Sequence, residues 1–144
     1  MTKGYRIDLP RPDQVSTDLV REVMPRATEI VKDRAVQEAP LGKTGNLRKG
    51  IEGRTDQGGL RGIVASTARH SYIVHEGTAA HGIVTKKRAL KIPAGGGVIL
   101  RAAASHPGTR GQPFLTRAVE GSADELGELF RSDGESWLKK VIGR

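Results

Sequence analysis

A stretch punctuated by proline and glycine, from His106 to Ala118, restricts the fold more than any other part of this chain. Pro107 and Pro113 fix the backbone φ angle, and Pro113 lacks the N–H that the first turn of a helix leaves unpaired. Two glycines in the stretch permit tight turns or close backbone approach. An apolar helix face follows, beginning with Phe114 and Leu115. We therefore predict that the stretch fixes how a helix meets a sheet formed upstream. It carries no catalytic signature.

The length and composition favour a single domain with an aliphatic core. A chain of 144 residues is long enough to bury such a core, and only 3 % of its residues are aromatic. The absence of cysteine excludes a disulfide framework and a thiolate metal site. No apolar run approaches the roughly 20 residues of a membrane span, and no signal-peptide apolar segment stands at the N-terminus. We expect cytosolic synthesis.

The N-terminal quarter predicts a short arm followed by a helix. Residues 1–12 are polar and include a possible strand at Tyr5–Ile7, and Asp13 or Ser16 is a suitable helix cap. Pro25 interrupts the pattern and should kink or split the helix, which Ala39-Pro40 then ends. The helix is indicated by apolar residues at helical spacing: Val15, Leu19, Val23, Ala27, Ile30 and Val31.

The glycine-rich middle of the chain predicts loops and short strands. A basic loop over Ala39–Ile51 leads into two strands, Ile51–Thr55 and Leu60–Ser66, joined by a hairpin turn. Ser71–Val74 is compatible with a strand or a helical turn, and His75–Thr85 is expected to be an exposed loop. A second hairpin is predicted from Arg88–Pro93 and Val98–Ala102 around three glycines.

The fold class predicted from these elements is α+β. An antiparallel sheet of about four strands is flanked by the N-terminal helix and a long C-terminal helix that begins at Phe114 and bends or frays after Phe130. One face of the sheet is left free to meet another subunit. We assign residues 1–144 to a single domain, with an arm at 1–12, a core at 13–120 and a helical extension at 121–144.

No motif in the sequence indicates an enzyme. The segment Gly42-Lys43-Thr44-Gly45 lacks the first glycine of a Walker A loop, because Gln37 stands there, and it follows a helix instead of a strand. Glu76 fits a carboxylate that accepts backbone N–H bonds in a tight turn better than a general base. No nucleophile–histidine–acid constellation is supported. We predict no catalytic residue and no cofactor.

A cluster of histidines is the one arrangement that could hold a metal ion. Its members are His70, His75, His81 and His106, with Glu76. The spacing from His75 to His81 differs from the H-E-x-x-H pattern of zinc helices, so loop histidines at an assembly interface are favoured. A small metal-dependent hydrolase built on His75, Glu76 and His81 remains an alternative.

The basic charge of the chain, +8, points to an anionic partner such as nucleic acid or an acidic protein surface, or to a solvated basic surface. The loops and strands carry many of these cations but no interleaved aromatic residues for base stacking. A contact with DNA would therefore be to phosphates and insensitive to sequence. A free-standing basic nucleic-acid-binding module is the alternative function that this charge supports.

Three motifs in the same order resemble one protein family. They are Ala39-Pro40 with Thr44-Gly45-Asn46-Leu47-Arg48 and Ile51, then Tyr72 with Val74-His75-Glu76-Gly77-Thr78 and His81, then His106-Pro107-Gly108 with Gln112-Pro113-Phe114-Leu115 and Ala118. The family is the small neck or tail-completion protein of long-tailed, siphovirus-type bacteriophages, also labelled a minor tail or head–tail joining protein. The resemblance spans about residues 13–120. The N-terminal arm, the glycines at 95–97 and the glycine-broken C-terminal helix depart from it.

The resemblance implies a non-enzymatic virion protein, made in the host bacterial cytoplasm, that forms a ring of itself, commonly sixfold. The implied partners are the head-completion or connector protein, the tail tube or tail terminator protein, and the phage DNA that passes through the lumen. Our hypothesis for the interface takes in polar and basic loop residues together with Phe114, which is either buried under its helix or an exposed anchor. The full set is Lys43, Thr44, Asn46, Arg48, Lys49, His75, Glu76, His81, Lys86, Lys87, Arg110 and Phe114.

Overall fold

A computed structural model describes residues 4–7, 17–86 and 89–142 of the chain. The strand pairs it contains are antiparallel, and most strands lie in runs between the N-terminal and C-terminal helices, which confirms the α+β class. The predicted helix caps Asp13 and Ser16 lie outside the described residues, as do Lys87 and Arg88. The elements are β1 (Gly4–Ile7), α1 (Thr17–Glu38), α2 (Asn46–Lys49), β2 (Ile51–Asp56), β3 (Arg61–Ser66), α3 (Ser71–Glu76), β4 (Gly77–Thr78), β5 (His81–Val84), β6 (Leu90–Ala94), β7 (Gly97–Arg101), β8 (Ala103–His106), β9 (Thr109–Arg110), α4 (Phe114–Gly121) and α5 (Ala123–Ile142).

Helix α1 is the element on which the rest of the described body packs. It is continuous through Pro25, so the predicted split does not occur, and Pro25 itself lies on the exposed side. The missing N–H costs one bond to the carbonyl of Arg21. Burial of the opposite side of the helix holds the two halves together. The buried side consists of Leu19, Val20, Val23, Met24, Ala27, Thr28, Val31 and Ala35.

A three-stranded antiparallel sheet with the order β1-β3-β2 lies against α1. Its central strand alternates between half-buried and buried residues, the buried ones being Gly62, Val64 and Ser66. A Cβ atom at Gly62 would stand 2.4 Å from Thr28 Oγ1, so only glycine allows the helix to approach this closely. The hairpin turn predicted between β2 and β3 is confirmed as a 3-10 turn at Gln57–Gly59.

The C-terminal helices pack on α1, which corrects the expectation that they would cover the sheet. Phe114 is fully buried and Leu115 and Ala118 join it in the core. The long helix breaks at Ser122, where the hydroxyl donates to the Ala118 carbonyl at 2.7 Å. The predicted bend after Phe130 is wrong, because α5 runs unbroken through Gly127 and Gly134. Burial of Leu126 and Leu129 offsets the weak helix propensity of these glycines.

The remaining strands form a hairpin of their own. Strands β4 to β9 pair only in three two-stranded stretches, β4 with β9, β5 with β8, and β6 with β7. The segment His75–Thr85, predicted to be a loop, is instead the end of α3 followed by β4 and β5. None of the helices in the described residues is long and apolar enough to cross a membrane.

Candidate assembly interface

A long hairpin runs from Gly77 to Arg110. It is called the arm from here on and is distinct from the N-terminal arm predicted at residues 1–12. Its strands pair in one nested register, from Gly77 with Arg110 at the root, through His81 with His106, to Ala94 with Gly97 at the tip. The register changes between the pair Val84–Ala103 and the pair Leu90–Arg101. Lys86 lies between these two pairs and is exposed.

The root of the arm is held to the body by close backbone contacts. The Gln112 N–H donates to the Val74 carbonyl at 2.8 Å, which ties the return strand to helix α3. Gly108 has φ +90°, and a Cβ there would stand 2.4 Å from the Thr78 carbonyl oxygen. No other residue type fits both the conformation and the space. The stretch from His106 to Ala118, which the sequence predicts to fix how a helix meets a sheet, therefore forms one side of this root.

Two histidines stack across the root. The rings of His81 and His106 are 5.0 Å apart with planes at 26°. The Gly108 N–H donates to His106 Nδ1 at 3.0 Å, and His81 Nδ1 lies 3.0 Å from the Ala79 carbonyl oxygen. Backbone atoms near each histidine in its own strand therefore hold the orientation of its ring. His81 faces its cross-strand partner rather than His75 and Glu76, with which the metal-site alternative grouped it.

His75 braces the base of the arm from the interior. Its side chain is buried, with Nδ1 3.1 Å from Glu76 Oε1 and Nε2 3.5 Å from Thr116 Oγ1. Its ring meets Phe114 edge-on at 5.6 Å. His75 and Phe114 are accordingly core residues, and Phe114 takes the buried of its two predicted positions. In the described part of the chain, no three His, Cys, Asp or Glu side chains gather to hold a metal ion.

A second predicted surface follows α1 and contains the short helix α2 instead of a plain loop. Lys43, Thr44, Asn46 and Lys49 are exposed there. Arg48 differs from them because its Nε donates to the Ala39 carbonyl at 2.7 Å and its Nη2 to the Gln37 carbonyl at 3.4 Å. It satisfies carbonyls that the end of α1 leaves unpaired. Arg48 thus supports this surface structurally.

The arm exposes apolar side chains on both of its faces. Val84 is 77 % exposed, Val98 60 %, Ile99 43 % and Leu100 63 %. Residues directly opposite share a face, so the pair Ile92–Ile99 lies on one face of the tip and the pair Pro93–Val98 on the other. Sequence reasoning missed this surface. Its signal was the run of apolar residues Val98–Leu100 directly after the glycine turn.

The arm is basic, and helix α5 exposes several carboxylates. From residue 77 to residue 119 the sequence contains no Asp or Glu, and the exposed cations among the described residues of the arm are Lys86, Lys91, Arg101 and Arg110. Helix α5 exposes carboxylates on the side away from its buried leucines, and we call this set the acidic face: Asp124, Glu125, Glu128 and Glu135. Arg131 lies among them, with Nη1 2.5 Å from Glu128 Oε1.

Comparison with known families gives one match. Residues 11–77 match the model of the family described as "Bacteriophage HK97-gp10, putative tail-component". The match runs from just before α1 to the first residue of the arm, and over this range it confirms the resemblance seen in the sequence. No curated protein and no solved structure matches the chain significantly.

Proposed function

We propose that this chain is a bacteriophage tail component that forms a ring at the junction of head connector and tail tube, where it completes or terminates the tail and joins it to the head. The observation that carries the proposal is a family match to a tail component in a body with a firmly rooted, projecting arm. A closed ring needs the same directional contact between successive subunits. A rigid root supplies direction, because it fixes where the arm points.

Two groups of residues are the proposed contacts with neighbours in the ring or in the adjoining ring. The first lies around α2 and consists of Lys43, Thr44, Asn46 and Lys49. The second consists of Glu76, which directly precedes the arm, and of His81, Lys86, Lys87 and Arg110 in the arm. Arg48, His75 and Phe114 belong to the same regions but act from within, by holding α2 and the arm root in place.

The proposed partners are a second copy of the chain, the head-completion or connector protein, and the tail tube or tail terminator protein. Phage DNA passes through the lumen of such a ring. Strong phosphate binding would slow that passage, so much of the basic charge should instead face acidic protein surfaces. The ring is expected to be sixfold, like related neck rings.

The test of this function is electron microscopy of lysates from a phage that lacks this gene. Full heads beside unattached tails are expected, because the joint between them is missing. Normal tail lengths would favour joining, and overlong tails would favour tail termination. Normal infectious particles would overturn the proposal.

The α2 surface can be tested separately with Lys43→Glu and Lys49→Glu in one variant. Arg48 is left intact because its carbonyl bonds stabilise the fold. Head–tail joining should fail while the melting temperature of the purified protein stays unchanged. The matched variant Lys43→Gln with Lys49→Gln removes the charge without reversing it, and an intermediate titre is expected. An undiminished virion yield from the Glu variant would remove this surface from the interface.

The charge of the arm also supports the second candidate, a sequence-independent nucleic-acid-binding module. The absence of Asp and Glu from residues 77–119 is the specific observation behind it. A salt titration against duplex DNA separates the two functions. A binder that neutralises several phosphates loses affinity steeply with salt, whereas a ring protein whose cations face other proteins gives weak binding.

A further inference from the structure

We infer that the arm of one copy of this chain docks on the acidic face of helix α5 of the neighbouring copy, so that the subunits associate head to tail. The inference rests on the proposed function, because it supplies the contact that would close the ring. It assigns the contact to two surfaces, the arm strands β5 to β8 and the helix face that carries Glu125, Glu128 and Glu135.

The first argument is that the arm is incomplete as an isolated element. A lone two-stranded hairpin is marginally stable in water, and stable sheets bury at least one face. The tip strands instead expose both faces, with Val98 and Leu100 on one and Ile99 on the other. Strands β5 to β8 pack chiefly on one another within their own chain. An apolar surface of this kind marks a protein contact.

The second argument is charge complementarity between two surfaces of the same chain. The arm carries Lys86, Lys91 and Arg101, all exposed and with no acid in the arm. The acidic face of α5 carries Asp124, Glu128 and Glu135 in one helical stripe, with Glu125 beside it. The stripe also holds Arg131 and Lys139, and the carboxylates outnumber these two cations. Surfaces of opposite sign steer association and set its register. Like-charged contacts, arm on arm or α5 on α5, are disfavoured for the same reason.

The third argument is shape. Beside its row of carboxylates helix α5 has two small exposed residues, Ala123 and Gly127, and a Cβ built at Gly127 would meet nothing within 4 Å. This leaves a shallow floor for the apolar side chains of the tip, while the carboxylates beside it reach the cations. The aliphatic stems of long charged side chains can cover the remaining apolar area.

Reach is sufficient for such a contact. The outgoing strands of the arm contain 2, 4 and 5 residues. At about 3.3 Å per residue the arm extends roughly 40 Å from its root. A domain of this size has a radius of gyration of roughly 13–15 Å, so the arm can lie across a neighbouring subunit.

A nucleic acid is a poorer occupant of the arm than a protein. Phosphates would pair with Lys86, Lys91 and Arg101 but would leave Val84, Val98 and Leu100 in water. A helix face with carboxylates beside small residues satisfies both requirements.

The inference is tested by charge reversal in the purified full-length chain, with self-association followed by analytical ultracentrifugation. The arm variant is Lys86→Glu, Lys91→Glu and Arg101→Glu, and the helix variant is Glu125→Lys, Glu128→Lys and Glu135→Lys. Each should weaken self-association by at least about tenfold at low salt. Mixing the two should restore it, because each reversed surface then meets its reversed partner. A control for the helix variant makes the same total change of charge at residues outside α5: Glu22→Lys, Asp33→Lys and Glu52→Lys.

Cross-linking gives a readout that does not depend on a stable ring in solution. The chain has no cysteine, so Ile99→Cys on one copy and Glu125→Cys on another place a unique pair of thiols. A bis-maleimide should link these two chains, and Ile99→Cys with Thr55→Cys, on the sheet, should not be linked. Equal yields from both pairs, or none from the first, would overturn the inference.

The remaining outcomes separate this contact from its alternatives. Failure of the mixed variants to reassociate would mean that the arm does not meet α5. Duplex DNA protecting the arm cysteine from alkylation in place of a second copy would assign the arm to nucleic acid. If the two chains cross-link but deletion of the gene leaves virions normal, the contact is retained and the proposed function is rejected. If the deletion removes neck rings but no arm–α5 link forms, the function is retained and the contact is rejected.

Discussion

The body and the arm are both built on antiparallel strands, yet they handle the same kind of side chain in opposite ways. Val64 in β3 is 2 % exposed, whereas Val98 in β7 is 60 % exposed. Both belong to strands with complete cross-strand pairing. What differs is the cover, because α1 packs on β3 whereas β7 packs chiefly on β6. Strand pairing forms a hairpin, and only a second layer turns it into a core.

The same difference predicts that the body determines the stability of the chain and that the arm determines its association. The body holds the buried residues and the long-range bonds between α1, the sheet and α4, so substitutions there should change the free energy of unfolding. The arm projects, so substitutions there should change association and leave the body folded. The following predictions test this division of roles, from the largest expected change in stability to the smallest.

Truncation of the same kind of apolar side chain should give opposite results in the two regions. Phe114→Ala should lower the free energy of unfolding by about 3–5 kcal/mol, because the ring is fully buried beside His75. Val98→Ala should change it by less than about 0.5 kcal/mol. Urea unfolding followed by circular dichroism measures both. A costly Val98→Ala would show that the tip packs on the body.

Adding one methyl group should distinguish the regions as well. Gly62→Ala places a Cβ 2.4 Å from Thr28 Oγ1, and the shift of α1 that follows should cost about 1–3 kcal/mol. Gly82→Ala, in the arm, meets nothing within 4 Å and should be neutral to about 0.5 kcal/mol. Thermal melts compare them. Combining Gly62→Ala with Thr28→Ala should recover part of the loss, and the absence of recovery would place the strain elsewhere.

Alanine substitutions of two neighbouring cations of α2 should lower the free energy of unfolding by different amounts, although each removes one positive charge. Arg48→Ala should cost about 1–2 kcal/mol, because the Ala39 carbonyl loses its 2.7 Å donor. Lys49→Ala should cost less than about 0.5 kcal/mol, since Lys49 is exposed. Chemical unfolding of both variants at the same salt concentration makes the comparison. Equal effects would assign the Arg48 contribution to net charge.

Shortening the arm should leave the body almost unchanged. Replacing residues 85–102 by Asn-Gly joins Val84 to Ala103, which already pair, through a two-residue hairpin turn. The unfolding free energy of the body should move by less than about 0.5 kcal/mol, while self-association weakens by at least about tenfold. Calorimetry and ultracentrifugation measure the two effects. A large loss of stability would show that the arm is part of the folding unit.

Periodicity predicted the body better than the arm. The apolar spacing in α1 and the Asp56–Gly59 turn between β2 and β3 are local signals, and both predictions are confirmed. His75–Thr85 mixes histidine, glycine and alanine with the strand formers Ile83 and Val84, and its pairing partners lie up to about 30 residues away along the chain. Pairing at that distance leaves little trace in a local window. The segment was therefore predicted to be a loop.

The candidate surfaces were predicted only in part for a related reason. Exposure separates Lys43 and Lys49 from Arg48, and burial separates His81 from His75 and Phe114, but residue type alone cannot distinguish members of either group. Each distinction depends on a contact between distant segments, such as Arg48 with the end of α1. The apolar tip was missed because Val98–Leu100 has the composition of a core strand.

Local chemistry in the sequence determined where α1 runs, where the β2–β3 turn falls, that Phe114 starts a helix, and that the middle of the chain is rich in cations and poor in acids. Tertiary structure decided which helix covers the sheet, where the C-terminal helix breaks, and that Gly77–Arg110 leaves the body as an arm. The physical reason is range. Propensity, periodicity and turn preference act over a few residues, whereas burial depends on which distant segments meet.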